Sequence, residues 1–276
     1  MRIRLIIPIR EELEAFSEEA YDIEKRIKLL NLASIETEDD FNPELIITSH
    51  NFFAFSEKCI IQAHDFIYKK LISQLTSNIE NKIPIILGVD ILNKDIRFNP
   101  YSSGIDSIVY YIEPKNGIFR YKSHVWEVWE PEIDNISLAS FLEQKNNRYI
   151  SIHNSRTACL FSCGDIFQYT HQLQIDSANL YICLAHIDFG RSINRIKNRT
   201  IKNILRLSQQ NPCLVIITQN ISLNEINTNN IYFQEVNSGQ YHYKFVFSLQ
   251  GSHVINYTNS ASYIESYSSM FVDLTI

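Results

Sequence analysis

The segment "TACLFSCGDIFQYT", Thr157 to Thr170, joins an apolar run to a polar one through a Gly-Asp turn signal. The apolar run lacks the period-two alternation of a strand with one wet face, so it predicts a strand buried on both faces. Cys163 ends this run. It is either an inert buried thiol, because cysteine is among the most buried residue types, or a nucleophile at the carboxyl end of a strand, where α/β folds place their chemistry.

Similar buried strands alternate with amphipathic segments along the rest of the chain. Strands are predicted at "RIRLIIP", "ELIITSH", "KIPIILGVDIL", "NLYICLAH" and "PCLVIITQN". Helices are predicted over 10–34 and 56–75, around "IFQYTHQLQID", and over "SINRIKNRTIKNILRLSQQN". The turn Lys115-Asn116-Gly117 predicts a β-hairpin, and the tail from Ile231 onward is rich in β-forming residues. The alternation predicts an α/β protein with helices outside and sheets inside.

Composition narrows the class of protein. The 276 residues include 45% hydrophobic and 20% charged residues, which is typical of a globular protein. A net charge of -6 without a basic stripe argues against a nucleic-acid partner. Apolar runs such as "IPIILGV" are too short to span a bilayer, and the first residues are typical of a strand rather than a signal peptide. We therefore expect a cytoplasmic protein with no membrane partner.

The cysteines indicate free thiols. Five cysteines are an odd number, and Cys159 and Cys163, four residues apart, have no second pair to complete a zinc site. We expect neither a metal nor a cofactor.

Three predicted strand ends carry reactive side chains. They are "LIITSHN" with His50, "YKSHVWEVWEPE" with Lys122 and Glu130, and "FSCGD" with Cys163. Because all three segments are strand ends, we expect them to converge at one edge of the sheets.

With these segments in order, the chain resembles the nitrilase superfamily of carbon–nitrogen hydrolases. Members of that family use a Glu-Lys-Cys triad with a second, supporting glutamate. Their lysine stands in a segment like "RYRK-H", followed by a loop with glutamate and then proline. The stretch "FRYKSHVWEVWEPE" matches this pattern at Lys122, His124, Glu130 and Pro131.

The cysteine motif and the order of the elements extend the resemblance over nearly the whole chain. The family cysteine ends a strand and precedes a small or aromatic residue and then an acid, as Cys163, Gly164 and Asp165 do here. "IPIILGV" resembles the strand before the family's hairpin, and "RTIKNILRLSQQNPCLVIITQN" resembles a later helix and strand. The resemblance implies a single domain, 1–276, folded as a four-layer α-β-β-α sandwich.

One position departs from the family pattern. The family's first glutamate, its general base, closes a strand like "dLivfPE", but the matching stretch "ELIITSH" ends on His50, with Ser49 in place of the proline. Imidazole titrates near neutral pH, so a histidine base beside a cysteine is workable chemistry. The alternative is that the base was lost and His50 fills its space.

The resemblance assigns roles to the remaining site residues. Cys163 would attack as a thiolate, and Lys122 would lower the pKa of that thiol and stabilise an oxyanion together with the backbone N–H of Gly164. Glu130 would support the lysine, with Glu127 as the competing candidate.

The aromatic residues Trp126, Trp129 and Phe167 are either the lining of an apolar substrate pocket or part of the core.

Taken together, these features predict an amidase-like hydrolase. It would cleave a small amide, or a nitrile, through a thioester on Cys163, with His50 as an unusual base. The alternative is a catalytically degenerate protein that keeps the fold for ligand binding or assembly. By resemblance, we expect a homodimer or a larger homo-oligomer.

Overall fold

The structure is a computed structural model of the chain. It describes residues 1–10, 23–35, 41–50, 52–55, 67–92, 105–126, 145–152, 156–162, 178, 180–184, 214–218, 221–222, 233–237, 240–243, 246–250, 253–256, 260–267 and 269–276. Within these ranges, the strands form two large sheets and one separate hairpin.

The first sheet is mixed, with a parallel centre. In chain order, its strands are β1 (Arg2–Arg10), β2 (Leu45–Thr48), β3 (Phe53–Phe55), β4 (Ile85–Leu92), β5 (Ile105–Lys115), β6 (Ile118–Trp126), β11 (Ile221–Ser222), β16 (Ser260–Ile264) and β17 (Ser269–Thr275). They lie in the order β16-β17-β1-β2-β4-β5-β6, with β11 beside β1 and β3 beside β4. Strands β1, β2 and β4 run parallel, while β5, β6 and β17 run antiparallel to their neighbours.

The second sheet also has parallel strands at its centre. Its strands are β7 (Tyr149–Ile152), β8 (Arg156–Ser162), β9 (Leu180–Leu184), β10 (Leu214–Thr218), β14 (Val246–Gln250) and β15 (His253–Asn256). Their order is β15-β14-β10-β9-β8-β7, and β8, β9 and β10 run parallel. Strands β12 (Phe233–Asn237) and β13 (Gln240–Tyr243) pair only with each other.

Helices cover one face of the first sheet. Helix α1 spans Ile23–Ser34, and a π-helical turn, Ile67–Leu71, leads directly into α2, Ile72–Asn78. Short helical segments also lie at α3 (Lys145–Arg148) and at a 3-10 turn, Glu265–Tyr267. The outer core joins apolar side chains of α1, α2 and the sheet: Ile6, Ile27, Leu30, Ile46, Leu71, Leu75, Leu87, Val89, Tyr110 and Phe271.

The other face of the first sheet lies against the second sheet. The Thr218 hydroxyl of β10 donates to the Thr48 carbonyl at 2.9 Å, and the Tyr111 hydroxyl of β5 donates to the Ser151 carbonyl at 3.3 Å. The described layers are therefore helix, sheet and sheet, as the sequence predicted. The helices predicted after Cys163 and before β10 lie outside the described residues.

Most predicted elements in the described ranges are confirmed. Strand β4 occupies the predicted apolar run, and the hairpin turns at Asn116 and Gly117, whose positive φ values of 54° and 75° suit a type I′ turn. The predicted helix start at residue 10 is wrong, because Arg10 belongs to β1 and pairs with Ser222. Within the described ranges, no helix is long and apolar enough to cross a membrane.

A buried ion pair ties the first and last strands of the first sheet together. The Arg4 Nε and Nη2 atoms lie 2.7 and 2.8 Å from the two carboxylate oxygens of Asp273. The third guanidinium nitrogen donates to the Ala33 and Ile35 carbonyls at 2.9 and 3.0 Å, which also fixes the end of α1. Arg4 is fully buried, so loss of its carboxylate partner would leave an uncompensated interior charge.

Replacing Asp273 should therefore destabilise the protein far more than breaking an exposed ion pair. We expect Asp273→Asn to lower the free energy of unfolding by about 3 kcal/mol. The control is Glu24→Gln, which breaks the exposed Glu24–Lys28 pair of α1 and should cost less than about 0.5 kcal/mol. Urea unfolding followed by circular dichroism measures both, and equal losses would contradict this account of the Arg4 site.

Candidate active site

A break in one strand creates the candidate site. Strands β2 and β3 lie end to end along the same edge of β4. Five residues separate Ile47 from Phe53, whereas only two separate their partners, Ile86 and Val89. The extra residues include Ser49 and His50, so the backbone must leave the ladder at this point.

This backbone passes directly over Gly88. A Cβ atom added at Gly88 would lie 2.0 Å from the His50 carbonyl oxygen and 2.2 Å from that of Ser49. No side chain fits there, so the crossing requires glycine at this position. Gly88 and Asp90 alternate along β4 with Leu87 and Val89, which belong to the helix-covered core, so the crossing lies on the face toward the second sheet.

Thr48 fixes the start of the crossing. Its hydroxyl accepts a hydrogen bond from the Gly88 N–H at 2.9 Å and donates one to the Ser49 carbonyl at 3.0 Å. Its own carbonyl accepts from Thr218 of the second sheet. The Ser49 hydroxyl is buried and has no hydrogen-bond partner among the described residues. The segment that carries His50 is thus held by both sheets.

His50 lies between the two sheets, hydrogen-bonded at both ring nitrogens. Its side chain is 1% exposed, and Asp90 and Ser162 are fully buried. The Nδ1 atom lies 2.8 Å from Asp90 Oδ1, and the Nε2 atom lies 3.1 Å from Ser162 Oγ. Ser162 is the last residue of β8 and immediately precedes Cys163 in the chain.

The hydrogen bonds indicate how the ring is protonated. An ionised Asp90 carboxylate only accepts, so beside it Nδ1 must carry a proton, and in a neutral ring Nε2 then accepts from the Ser162 hydroxyl. Both distances fall within the reach needed for proton transfer. The order carboxylate–imidazole–hydroxyl is that of hydrolases in which a histidine acts as a base. The arrangement can therefore accept a proton at Nε2.

Lys122 lies apart from the His50 group, which consists of His50, Asp90 and Ser162. Its ammonium is 3.1 Å from the Glu113 carboxylate, and its side chain is 53% exposed. It sits at an irregularity of the β5–β6 pairing, opposite Tyr111 and Ile112, and Tyr111 is in turn paired with Ile86 of β4. Along β4, Ile86 is four residues from Asp90, which corresponds to roughly 13 Å at about 3.3 Å per residue. The structure does not bring Lys122 to His50.

Trp126 lies on the other face of the sheet from Asp90. Its ring packs at the margin of the helix-covered core and stacks on His124, with 5.5 Å between ring centroids. His124 also shares a hydrogen bond with the Tyr121 hydroxyl. In this structure, Trp126 therefore packs against the helix-covered core and does not line the space around His50.

The other predicted site residues lie outside the described residues. These are Cys163, Gly164, Glu130, Glu127, Trp129 and Phe167. Their predicted roles stay predictions. Within the described ranges, no group of three or more His, Cys, Asp or Glu side chains is arranged to hold a metal ion.

Sequence reasoning missed Asp90 and Ser162. Asp90 was visible as the one acidic residue in the apolar strand "IPIILGVDIL", where a charge is unfavourable unless it has a partner. That signal indicates a buried interaction, but it does not identify His50 as the partner. No feature of the sequence indicated a role for Ser162, apart from its position directly before Cys163.

The described cysteines are buried thiols on strands of the second sheet. Cys159 and Cys183 are both in the thiol form and fully buried. Burial raises the pKa of the Cys159 thiol to about 12, although nearby Arg148 and a hydrogen bond with Tyr149 act in the opposite direction. Cys159 and Ser162 alternate onto opposite faces of β8, so Cys159 is not part of the His50 group.

Solved structures share this fold. Over 99% of its length, the chain is similar to a carbon-nitrogen hydrolase from Helicobacter pylori G27, at 12% identity, with a TM-score of 0.51 and 88% of that chain covered. It is similarly related to Saccharomyces cerevisiae Nit3, a member of branch 10 of the nitrilase superfamily, at 12% identity, with a TM-score of 0.52 and coverage of 99% and 90% of the two chains. No protein-family model and no curated protein matches the sequence. The chain therefore has the nitrilase-superfamily fold that the sequence motifs predicted, and at this identity the similarity shows the fold alone.

A side chain at Gly88 should displace His50. We expect Gly88→Ala to lower the free energy of unfolding by about 3 kcal/mol, because the new methyl group would overlap two backbone carbonyls. The control is Gly117→Ala in the β5–β6 turn, where nothing lies within 4 Å and only the positive φ is strained, at a cost of about 1 kcal/mol. Equal stability of the two variants in urea unfolding would show that the crossing can relax.

The buried Cys159 thiol should make stability fall in alkaline solution. The unfolded thiol ionises near its ordinary pKa of 9.0, while burial keeps the folded thiol neutral up to a pKa of about 12. Its contribution to stability is thus fully present below pH 9 and is lost as the pH rises toward 12. Relative to wild type, Cys159→Ala should therefore gain about 1.4 kcal/mol for each pH unit above 9. Parallel curves of unfolding free energy against pH would contradict this.

Proposed function

We propose that this protein hydrolyses the carbon–nitrogen bond of a small amide, with Cys163 as nucleophile and His50 as general base. One observation carries the proposal: His50 Nε2 lies 3.1 Å from the hydroxyl of Ser162, the residue bonded to Cys163. The imidazole is thus held at the end of β8, one residue along the chain from the nucleophile that we propose. The nitrilase-type fold of the chain agrees with this assignment.

The reaction follows from these two groups. The Cys163 thiol gives its proton to Nε2, and the sulfur attacks the amide carbon. The carbon–nitrogen bond then breaks as the imidazolium returns the proton to the leaving amine or ammonia, which leaves a thioester. His50 next takes a proton from water, whose oxygen attacks the thioester, and the acid is released as the thiol re-forms. A positioned base of this kind typically contributes about 10²–10⁴-fold to the rate.

The stabilising group for the oxyanion is a separate part of the proposal. The backbone N–H of Gly164, directly after the nucleophile, is our candidate donor. The roles that the family resemblance gives to Lys122 and Glu130 stay predictions, as do nitriles as substrates, a single domain over 1–276, a cytoplasmic location and a homo-oligomer.

A second candidate function is a non-catalytic protein that uses the fold for ligand binding or assembly. Two observations favour it. By the resemblance, His50 stands where the family has its first glutamate, and Lys122 pairs with Glu113 on the hairpin.

The pH dependence of cysteine alkylation separates the two functions. In the enzyme, Cys163 should react with iodoacetamide well below the ordinary thiol pKa of 9.0, and His50→Ala should slow that reaction. Peptide mass spectrometry reads each cysteine separately, and the buried Cys159 supplies an internal reference that should stay unmodified near neutral pH. Ammonia release from a panel of small amides is the second readout, and Cys163→Ala should abolish it.

Three outcomes are informative. Ordinary thiol titration of Cys163 in wild type, with no turnover of any amide, would overturn the enzyme and favour the binding protein. Slower alkylation of Cys163 in His50→Ala, with no change in Lys122→Ala, would support the proposed pair of Cys163 and His50. Slower alkylation in Lys122→Ala as well would support the family's role for that lysine, which is to lower the pKa of the cysteine. The exposed ion pair with Glu113 does not predict this result.

A further inference from the structure

We propose that Asp90 is the positioning residue of this site: it fixes the imidazole of His50 in the one tautomer that lets Nε2 accept a proton. Its catalytic meaning rests on the proposed function, whereas its effect on the ring stands on the geometry alone. The observation is the 2.8 Å contact between Asp90 Oδ1 and His50 Nδ1 inside the fold.

The location of Asp90 is the first support. It sits within β4, paired with Ala54 on one side and Ser107 on the other, and it is fully buried between the two sheets. A carboxylate in such a place is unfavourable unless it is paired and hydrogen-bonded. Its neighbours on β4, Val89 and Ile91, are apolar. The contact with His50 Nδ1 meets this requirement.

The second support is that the ring has little freedom. The backbone from Thr48 to His50 is constrained by the crossing over Gly88 and by the hydrogen bonds of Thr48. With Nδ1 directed at Asp90, Nε2 is directed at Ser162, the residue before Cys163. The contact of Nδ1 with Asp90 and the contact of Nε2 with Ser162 are therefore fixed by the same ring orientation.

The chemistry of a histidine base explains why such a partner is needed. A glutamate base presents equivalent oxygens, and either one can accept a proton. A neutral imidazole has one protonated and one unprotonated nitrogen, so it works only when the unprotonated one faces the nucleophile. An acceptor-only carboxylate on Nδ1 enforces this choice. Asp90 and His50 would then act together in place of the single glutamate of the family pattern.

The test substitutes Asp90 with asparagine, which keeps the shape but offers an amide N–H to Nδ1. Nitrogen-15 NMR of the neutral His50 ring should show the proton on Nδ1 in wild type and on Nε2 in Asp90→Asn. Amide turnover should fall by roughly 10²–10⁴-fold. Cys163 alkylation near neutral pH should slow as it does in His50→Ala. The control is Glu44→Gln, which removes a carboxylate charge just before β2 and should change none of the three readings.

The outcomes separate this inference from the proposed function. If Cys163 is an ordinary thiol in wild type, the proposed function fails, and the ring tautomer still decides whether Asp90 positions His50. If Cys163 is activated but Asp90→Asn keeps the wild-type tautomer, turnover and alkylation profile, the positioning role is overturned. If Asp90→Asn does not fold, the wild-type NMR spectrum decides: a proton on Nε2 would overturn the inference.

Discussion

Two backbone segments cross at Gly88 with no room for a side chain between them. The carbonyl oxygens of Ser49 and His50 occupy the space in which a Cβ atom would lie, so the crossing exists only because β4 carries a glycine there. The break between β2 and β3 depends on this approach. Without it, β2 would continue along β4, and the imidazole of His50 would not leave the ladder toward the second sheet.

The crossing places a polar group where the fold otherwise buries apolar side chains. Thr48, His50, Asp90, Ser162 and Thr218 are all buried where the two sheets meet. Each makes a hydrogen bond to another member of the set or to the backbone at the crossing. Such a group is strongly unfavourable when only partly satisfied, so its members restrain one another. This restraint gives the imidazole a defined direction, which a catalytic base requires and a space-filling side chain does not.

Lys122, which the family motifs assign to the catalytic centre, lies apart from the His50 group. In the sequence, "FRYKSH" and "FSCGD" resemble two parts of one catalytic centre. In the structure, the irregular pairing of β5 and β6 leaves Lys122 at the level of Tyr111, half exposed and paired with Glu113. Among the described residues, the polar centre at the end of β2 is built from a histidine, a carboxylate and a hydroxyl. One extra residue in a strand changes the direction of the side chains around it, and Lys122 lies at such a point of β6.

Local patterns in the sequence were sufficient to predict much of the fold of this protein. Apolar runs bounded by polar turns predicted β1, β4, β8 and β9, because a strand buried on both faces is a nearly continuous apolar run. Asn116 and Gly117 predicted the hairpin, because few residues accept positive φ. The motif order predicted the layered nitrilase-type fold, and the end of β2 marked His50 as unusual. The partners of His50 depended on contacts across 40 and 112 residues of sequence, which no local pattern encodes. Only the tertiary structure, by stacking two sheets over the Gly88 crossing, decided that Asp90 and Ser162 meet that ring.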